Sequence, residues 1–152
     1  LIEMVGAENI METMQAIGAN EMRVLRGVED NKAYAKGLNN TTTAFDLMLV
    51  FEQLAKLQLV DSTSSNAMIN ILLDQEFDEI IPAQLPPGVK VAHKTGSIKG
   101  VQHDSGIVFL PNGEKYVVVL LSSFSVADEK KVINAMAKIS RLLYDHTINT
   151  KH

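Results

Sequence analysis

The run Val117-Val118-Val119-Leu120-Leu121 constrains the fold of this chain more than any other segment. Successive side chains of a strand point to opposite faces of a sheet, so a half-buried strand alternates apolar and polar residues. A short, continuous apolar run rich in branched residues instead fits a strand covered on both faces. Tyr116–Phe124 is therefore expected to lie inside a sheet with a layer on each side. Upstream, Gly106–Leu110 is also apolar, and Pro111-Asn112-Gly113-Glu114 contains the Asn-Gly step that favours a tight hairpin. Val89–Ser97 alternates, which makes a third strand and an antiparallel meander. Three strands ending in so apolar a member leave an unpaired edge, and such edges are normally covered or paired. The pattern asks for partner strands.

Ahead of the strands the pattern is helical. Ile10, Met11, Met14 and Ile17 recur at helical spacing over 7–17, and Gly18 supplies a stop. From about 19 to 40 the periodicity collapses around Gly27, Asn31, Gly37, Asn39 and Asn40, giving either a long functional loop or an irregular connector with one embedded turn. Thr41-Thr42-Thr43 opens the strongest helix, with Thr43 and Asp46 at capping-box spacing. Phe45, Leu47, Met48, Leu49, Val50, Phe51, Leu54 and Leu57 surround it on most faces, so burial is expected. A second helix follows Asp61-Ser62-Thr63-Ser64-Ser65, with Met68, Ile69, Leu72 and Leu73 as its core stripe. Pro82, Pro86, Pro87 and Gly88 break the chain before the strands. Ser125 with Asp128 is expected to cap a last helix carrying Val132, Met136, Ile139 and Leu143.

Helices are thus expected near 43–58, 63–75 and 127–145 as well as 7–17, with strands near 89–97, 103–111 and 115–125. The class is α+β: a mostly helical part over 1–82, then a sheet and a packed helix over 83–152.

Composition narrows the functional classes. The 152 residues are 46% hydrophobic and 21% charged with net charge −4, which offers no electrostatic footprint for nucleic acid. No apolar run approaches the roughly 20 residues of a membrane helix. With no cysteine there is no disulfide framework, thiolate zinc site or cysteine nucleophile. His93, His103, His146 and His152 form neither His-x-His nor His-Glu-x-x-His, so no metal-ligand spacing is present. The chain begins at Leu1, and Leu1–Val5 shows neither the basic nor the long apolar region of a signal peptide, which leaves open one lost with upstream sequence.

The segment that carries chemistry is Lys94-Thr95-Gly96-Ser97, at the end of the alternating stretch. A lysine ammonium and a hydroxyl projecting from a strand edge can hold a carboxylate through charge-assisted hydrogen bonds. Gly96 leaves no side chain beside them. His93 faces the other way along the strand and is expected to be a packed or surface residue. His103-Asp104-Ser105 holds the three residue types of a catalytic triad, but sequence neighbours cannot face one another as nucleophile, base and orienter.

Lys-Thr-Gly is one of three motifs that together mark penicillin-recognising serine hydrolases. The other two, Ser-x-x-Lys and Ser-Asp-Asn, are absent from the sequence. The order of parts, with Asn40-Thr41-Thr42-Thr43-Ala44 and His93-Lys94-Thr95-Gly96-Ser97 as its most specific pieces, resembles the C-terminal half of class A β-lactamases and their relatives. The resemblance covers essentially the whole chain. It implies an acyl-transfer hydrolase, bacterial and periplasmic or secreted, acting on a β-lactam or a peptide-like amide or ester without a cofactor. The nucleophile would come from a missing N-terminal portion carrying Ser-x-x-Lys and Ser-Asp-Asn, and the 152-residue chain alone would be inactive. Lys94 and Thr95 would anchor the substrate carboxylate, and the Ser97 N–H would supply half the oxyanion hole. Glu29, in Arg26-Gly27-Val28-Glu29-Asp30-Asn31, is the nearest match to the loop glutamate that activates the deacylating water. The family places an asparagine four residues later, where this chain has Ala33. No arginine follows the motif in Gln102–Gly106, so either His103 would stand in as the second carboxylate contact or that contact would be lost. The alternative is a sensory or binding module on the same scaffold, without turnover.

Overall fold

The computed structural model describes residues 2–150 of the chain. The chain divides into two compact units, residues 1–50 and 51–152. The boundary falls within a helix, whereas the sequence changes character near Pro82.

In the first unit, α1 (Ile2–Val5) leads into α2 (Ala7–Ala16) through Gly6, whose φ of +83° is a left-handed conformation that glycine adopts without strain. The stretch expected as a long loop is less irregular than its composition suggests. It contains the five-residue helix α3 (Asn31–Ala35), capped by Asp30, whose side chain accepts the Ala33 N–H at 2.9 Å. Its ends are tied by an isolated antiparallel bridge between Arg23 and Thr41. Asn40 adds a clasp beside that bridge: its Oδ1 accepts the N–H groups of Leu25 and Arg26, and its Nδ2 donates to the Arg26 carbonyl.

Helix α4 (Ala44–Ala55) starts where Thr43 caps it, the Thr43 hydroxyl accepting the Asp46 N–H at 3.1 Å. The capping box is only half formed, because the Asp46 carboxylate makes no return bond and its Oδ2 has no partner among the described residues. Aspartate is one methylene shorter than the glutamate that usually completes this motif. The helix is not buried all round either. Phe51, Leu54 and Ala55 are buried, but Phe45, more than a turn earlier and off that stripe, is 64% exposed.

In the second unit, α5 (Ser62–Leu73) is capped by Asp61, which accepts both the Ser64 N–H and the Ser64 hydroxyl. These bonds hold the Asp61 carboxyl below its ordinary value. The three strands β1 (Lys90–Ile98), β2 (Val101–Phe109) and β3 (Lys115–Ser123) form an antiparallel sheet in the order β1-β2-β3. The hairpin between β2 and β3 closes through Leu110 N–H to the Glu114 carbonyl, with Gly113 at φ +84°. Here the chain requires the glycine of Asn112-Gly113.

The register explains the sandwich. Val91 pairs with Val108, and both enter a core completed by Ile80, Ile81, Met136 and Tyr144. One position along, Ala92 pairs with Ile107, and both enter a second core with Phe51, Leu54 and Ile69. Neighbouring pairs serve opposite faces because side chains alternate along a strand. Helix α6 (Glu129–Asn149) therefore covers one face, and α5 with the end of α4 covers the other. The central strand is β2, buried from Asp104 to Val108, while β3 lies at the margin of the described sheet and is mostly half-buried despite its apolar run.

The start of α6 differs from expectation. A single 3₁₀ turn, Val126–Asp128, precedes it, and neither Ser125 nor Asp128 caps through its side chain. The tight turn bonds Asp128 N–H to the Ser125 carbonyl, and the Asp128 carboxylate pairs with Lys131 instead.

Candidate active site

Strand β1 is a margin of the described sheet, so among the described residues no strand pairs with the outer side of Lys94–Ser97. Lys94 and Ser97 are exposed and Thr95 is half-buried. All three line one open concavity of about 650 Å³. Gln102 from β2 and Glu129 from α6 join them there, with Phe77, Ile80 and Ile133 as the apolar part of the wall. The Lys94 ammonium folds back to donate to the Thr95 carbonyl at 2.6 Å, which holds the charge beside the motif.

Gly96 pairs with His103 across the sheet, and a β-carbon built on it would meet only the His103 Cβ, at an ordinary 3.7 Å. Among the described residues nothing therefore demands glycine at 96. Gly106 is the opposite case. A β-carbon there would fall 2.5 Å from the Ala92 carbonyl oxygen and 2.6 Å from His93 Cβ, so glycine is what lets β2 close onto β1 beside the motif.

His93 is a packed residue, 1% exposed. Its Nδ1 lies 2.8 Å from Asp104 Oδ1, its Nε2 lies 3.3 Å from Asp78 Oδ1, and Asp104 Oδ2 accepts the Ile81 N–H. The residue before Lys94 thus ties β1 to β2 and to the segment holding Phe77 and Ile80. His103, Asp104 and Ser105 do not converge: Asp104 is turned to His93, and Ser105 is buried. His103 Nδ1 is directed at the sheet backbone, 2.8 Å from the Gln102 carbonyl and 3.1 Å from the Ser122 N–H. Beside the motif, the side chain lining the concavity is Gln102, the register partner of Ser97.

Glu29 belongs to the first unit. It is exposed and holds a φ of +64°, a strained value for a residue with a side chain.

Gln102 and Glu129 were not singled out by the sequence. A glutamine inside a strand and a glutamate at a helix start are unremarkable until the register and the packing of α6 bring them together. Among the described residues no cluster of His, Cys, Asp and Glu is arranged to hold a metal ion.

The sequence model of the beta-lactamase enzyme family matches residues 1–147. The chain belongs to this family. A beta-lactamase of Bacteroides uniformis is 35% identical over 72 residues, covering 43% of this chain and 24% of that protein. Among solved structures, PBP-A superposes with a TM-score of 0.86 at 25% identity, covering 97% of this chain and 54% of the PBP-A chain. A representative class A beta-lactamase of Bacteroides cellulosilyticus superposes with a TM-score of 0.82 at 25% identity, covering 99% and 57%. A mutant of PBP-A, 27% identical to this chain, was solved as an acyl-enzyme complex with penicillin G. The chain therefore spans a little over half the length of these structures, and its fold is one part of the β-lactamase fold.

Proposed function

We propose that this chain is the substrate-anchoring half of a β-lactamase-like serine hydrolase that works through an acyl-enzyme. The observation that carries the reading is the shared concavity of Lys94, Thr95 and Ser97 at the margin of the sheet, in a chain matched along nearly its whole length by the beta-lactamase family. A β-lactam or peptide-like substrate presents a carboxylate beside the amide to be opened. The Lys94 ammonium and the Thr95 hydroxyl hold that carboxylate. The Ser97 N–H polarises the scissile carbonyl as charge develops on its oxygen. A serine outside residues 1–152 attacks that carbon, the C–N bond breaks, and the nitrogen takes up the serine's proton, departing as an amine from a peptide-like substrate and staying tethered in an opened β-lactam. Water then cleaves the acyl ester. Gly96 leaves room for the substrate backbone.

Glu29 is the candidate for activating that water, although Ala33 cannot assist it as the family's asparagine would. His103 has its ring nitrogen on the sheet backbone, so we assign the second polar contact beside the motif to Gln102 rather than to His103. Membership of the family favours a periplasmic or secreted setting, and among the described residues no helix is long and apolar enough to cross a membrane. The second reading is ligand capture without turnover. It is supported by the exposure of Glu29 and by Ala33 four residues on, an arrangement that would leave an acyl-enzyme slow to clear.

The test is Lys94→Ala in the protein that also carries the nucleophile, assayed with a penicillin and with a neutral ester. Loss of a charge-assisted bond to the carboxylate is expected to cost on the order of 2–3 kcal/mol, roughly 30- to 150-fold in kcat/KM for the anion, and little for the ester. Equal losses on both would remove the anchoring role. The 152-residue chain alone is expected to take up no covalent penicillin by mass spectrometry.

A further inference from the structure

We propose that Glu129 and Gln102 form a positioning pair that fixes the Ser97 hydroxyl as a hydrogen-bond donor to a carboxylate or carbonyl oxygen of the ligand. The proposal rests on the reading of this concavity as the ligand site. It begins at Glu129, the first residue of α6, where a negative side chain is favoured by the helix dipole. An ionised carboxylate can only accept hydrogen bonds. Gln102 Nε2 lies 2.8 Å from Glu129 Oε1, so the amide must present its nitrogen there. Reversing the amide would place oxygen against oxygen.

The same Nε2 lies 2.7 Å from Ser97 Oγ. An amide nitrogen has two hydrogens, and these two contacts use both of them. Ser97 Oγ is consequently an acceptor from Gln102, and its single proton is left to be donated elsewhere. Among the described residues no protein group receives it. Gln102 is 8% exposed, so the amide is held in place, whereas Ser97 is exposed at the concavity beside Lys94. The hydroxyl proton therefore points to where a ligand oxygen would sit.

This arrangement gives the site its polarity. Without Glu129, the Gln102 amide could turn its oxygen to Ser97, and the hydroxyl would spend its proton inside the protein. With Glu129, the Ser97 hydroxyl joins Lys94 and Lys130 as donors lining the concavity, which Glu79 also lines, and the Glu129 oxygen nearest Gln102 is already engaged. The ligand class that fits is one with an anionic or carbonyl oxygen between them.

Neutron diffraction from a perdeuterated crystal of the whole protein that carries this chain and the nucleophile tests the inference directly. The expected result is one Gln102 amide deuteron on Ser97 Oγ, the other on Glu129 Oε1, and the Ser97 deuteron directed into the concavity. A Ser97 deuteron directed at Gln102 would overturn the proposal, whether or not the protein turns over any substrate. A double-mutant cycle with benzylpenicillin, in the protein carrying the nucleophile, reads the consequence. Ser97→Ala should lower kcat/KM about fivefold, the effect of one neutral hydrogen bond, and Glu129→Leu, which removes the acceptor that orients Gln102, should lower it by up to the same factor. The double variant should be no worse than Ser97→Ala alone, because Glu129 acts only through that hydroxyl. Additive losses would show that Glu129 acts by some other route and would also overturn the proposal. A parent protein that never acylates would instead count against the hydrolase reading, and the neutron result would still decide the orientation of Ser97.

Discussion

His93 Nδ1 and Asp104 Oδ1 lie 2.8 Å apart in a part of the sheet closed to solvent, one residue before Lys94. Both oxygens of Asp104 are used, since Oδ2 accepts the Ile81 N–H at 3.0 Å. One carboxylate therefore joins the motif's own strand and its neighbour β2 to the segment that forms the concavity wall.

Asp104→Ala should leave two buried donors unpaired at once. Removing one partner from a buried polar network is far more costly than never having built it, and a loss of about 3–5 kcal/mol is expected. Urea unfolding of the chain, comparing Asp104→Ala with the parent, measures it. A loss under about 1 kcal/mol would show that the pair does not hold the strands.

Tyr116 gives a prediction with a pH dependence. Burial raises its phenol from 10.0 to about 12, with the nearby Tyr144 and Asp145 adding to the rise. The folded chain thus holds the proton more tightly than the unfolded chain. This contribution to stability is fully present below pH 10 and is lost as the pH rises towards 12. The hydroxyl also has no partner among the described residues. Tyr116→Phe should therefore leave stability at pH 7 unchanged or raise it by up to about 1 kcal/mol. It should also reduce the fall in stability between pH 10 and 12. Urea titrations of both proteins at pH 7 and pH 11 check both halves.

Asn40 closes the loop of the first unit with three hydrogen bonds, two to backbone N–H groups and one to the Arg26 carbonyl. Asn40→Ala should remove all three while leaving the Arg23–Thr41 bridge. These bonds are exposed, so a cost of about 1–2 kcal/mol, localised to the loop, is expected rather than global unfolding. Amide exchange at Leu25 and Arg26 should quicken about tenfold, with little change in β2. Uniform acceleration across the chain would contradict a local clasp.

Much of the architecture was legible because it is written in local periodicity. The apolar runs marked the strands to within two residues at each end, Asn112-Gly113 marked the hairpin, and the stripe Val132, Met136, Ile139 and Leu143 marked α6. What misled was equally local. The all-apolar look of α4 hid the fact that only one stripe of it is buried, and the polar stretch after Ala19 hid a short helix.

The sequence by itself determined the element types, the antiparallel order of the strands and the placing of Lys94, Thr95 and Ser97 at the end of one of them. These depend on side-chain spacing along a few turns or strand positions. Only the tertiary structure decided that Asp104 would face His93 and Ile81 rather than its own neighbours, and that Gln102 would link Ser97 to Glu129. Those partners lie 5 to 27 residues apart in the chain. A buried donor or acceptor takes whichever partner the strand register and helix packing bring within about 3 Å, and no local pattern encodes that choice.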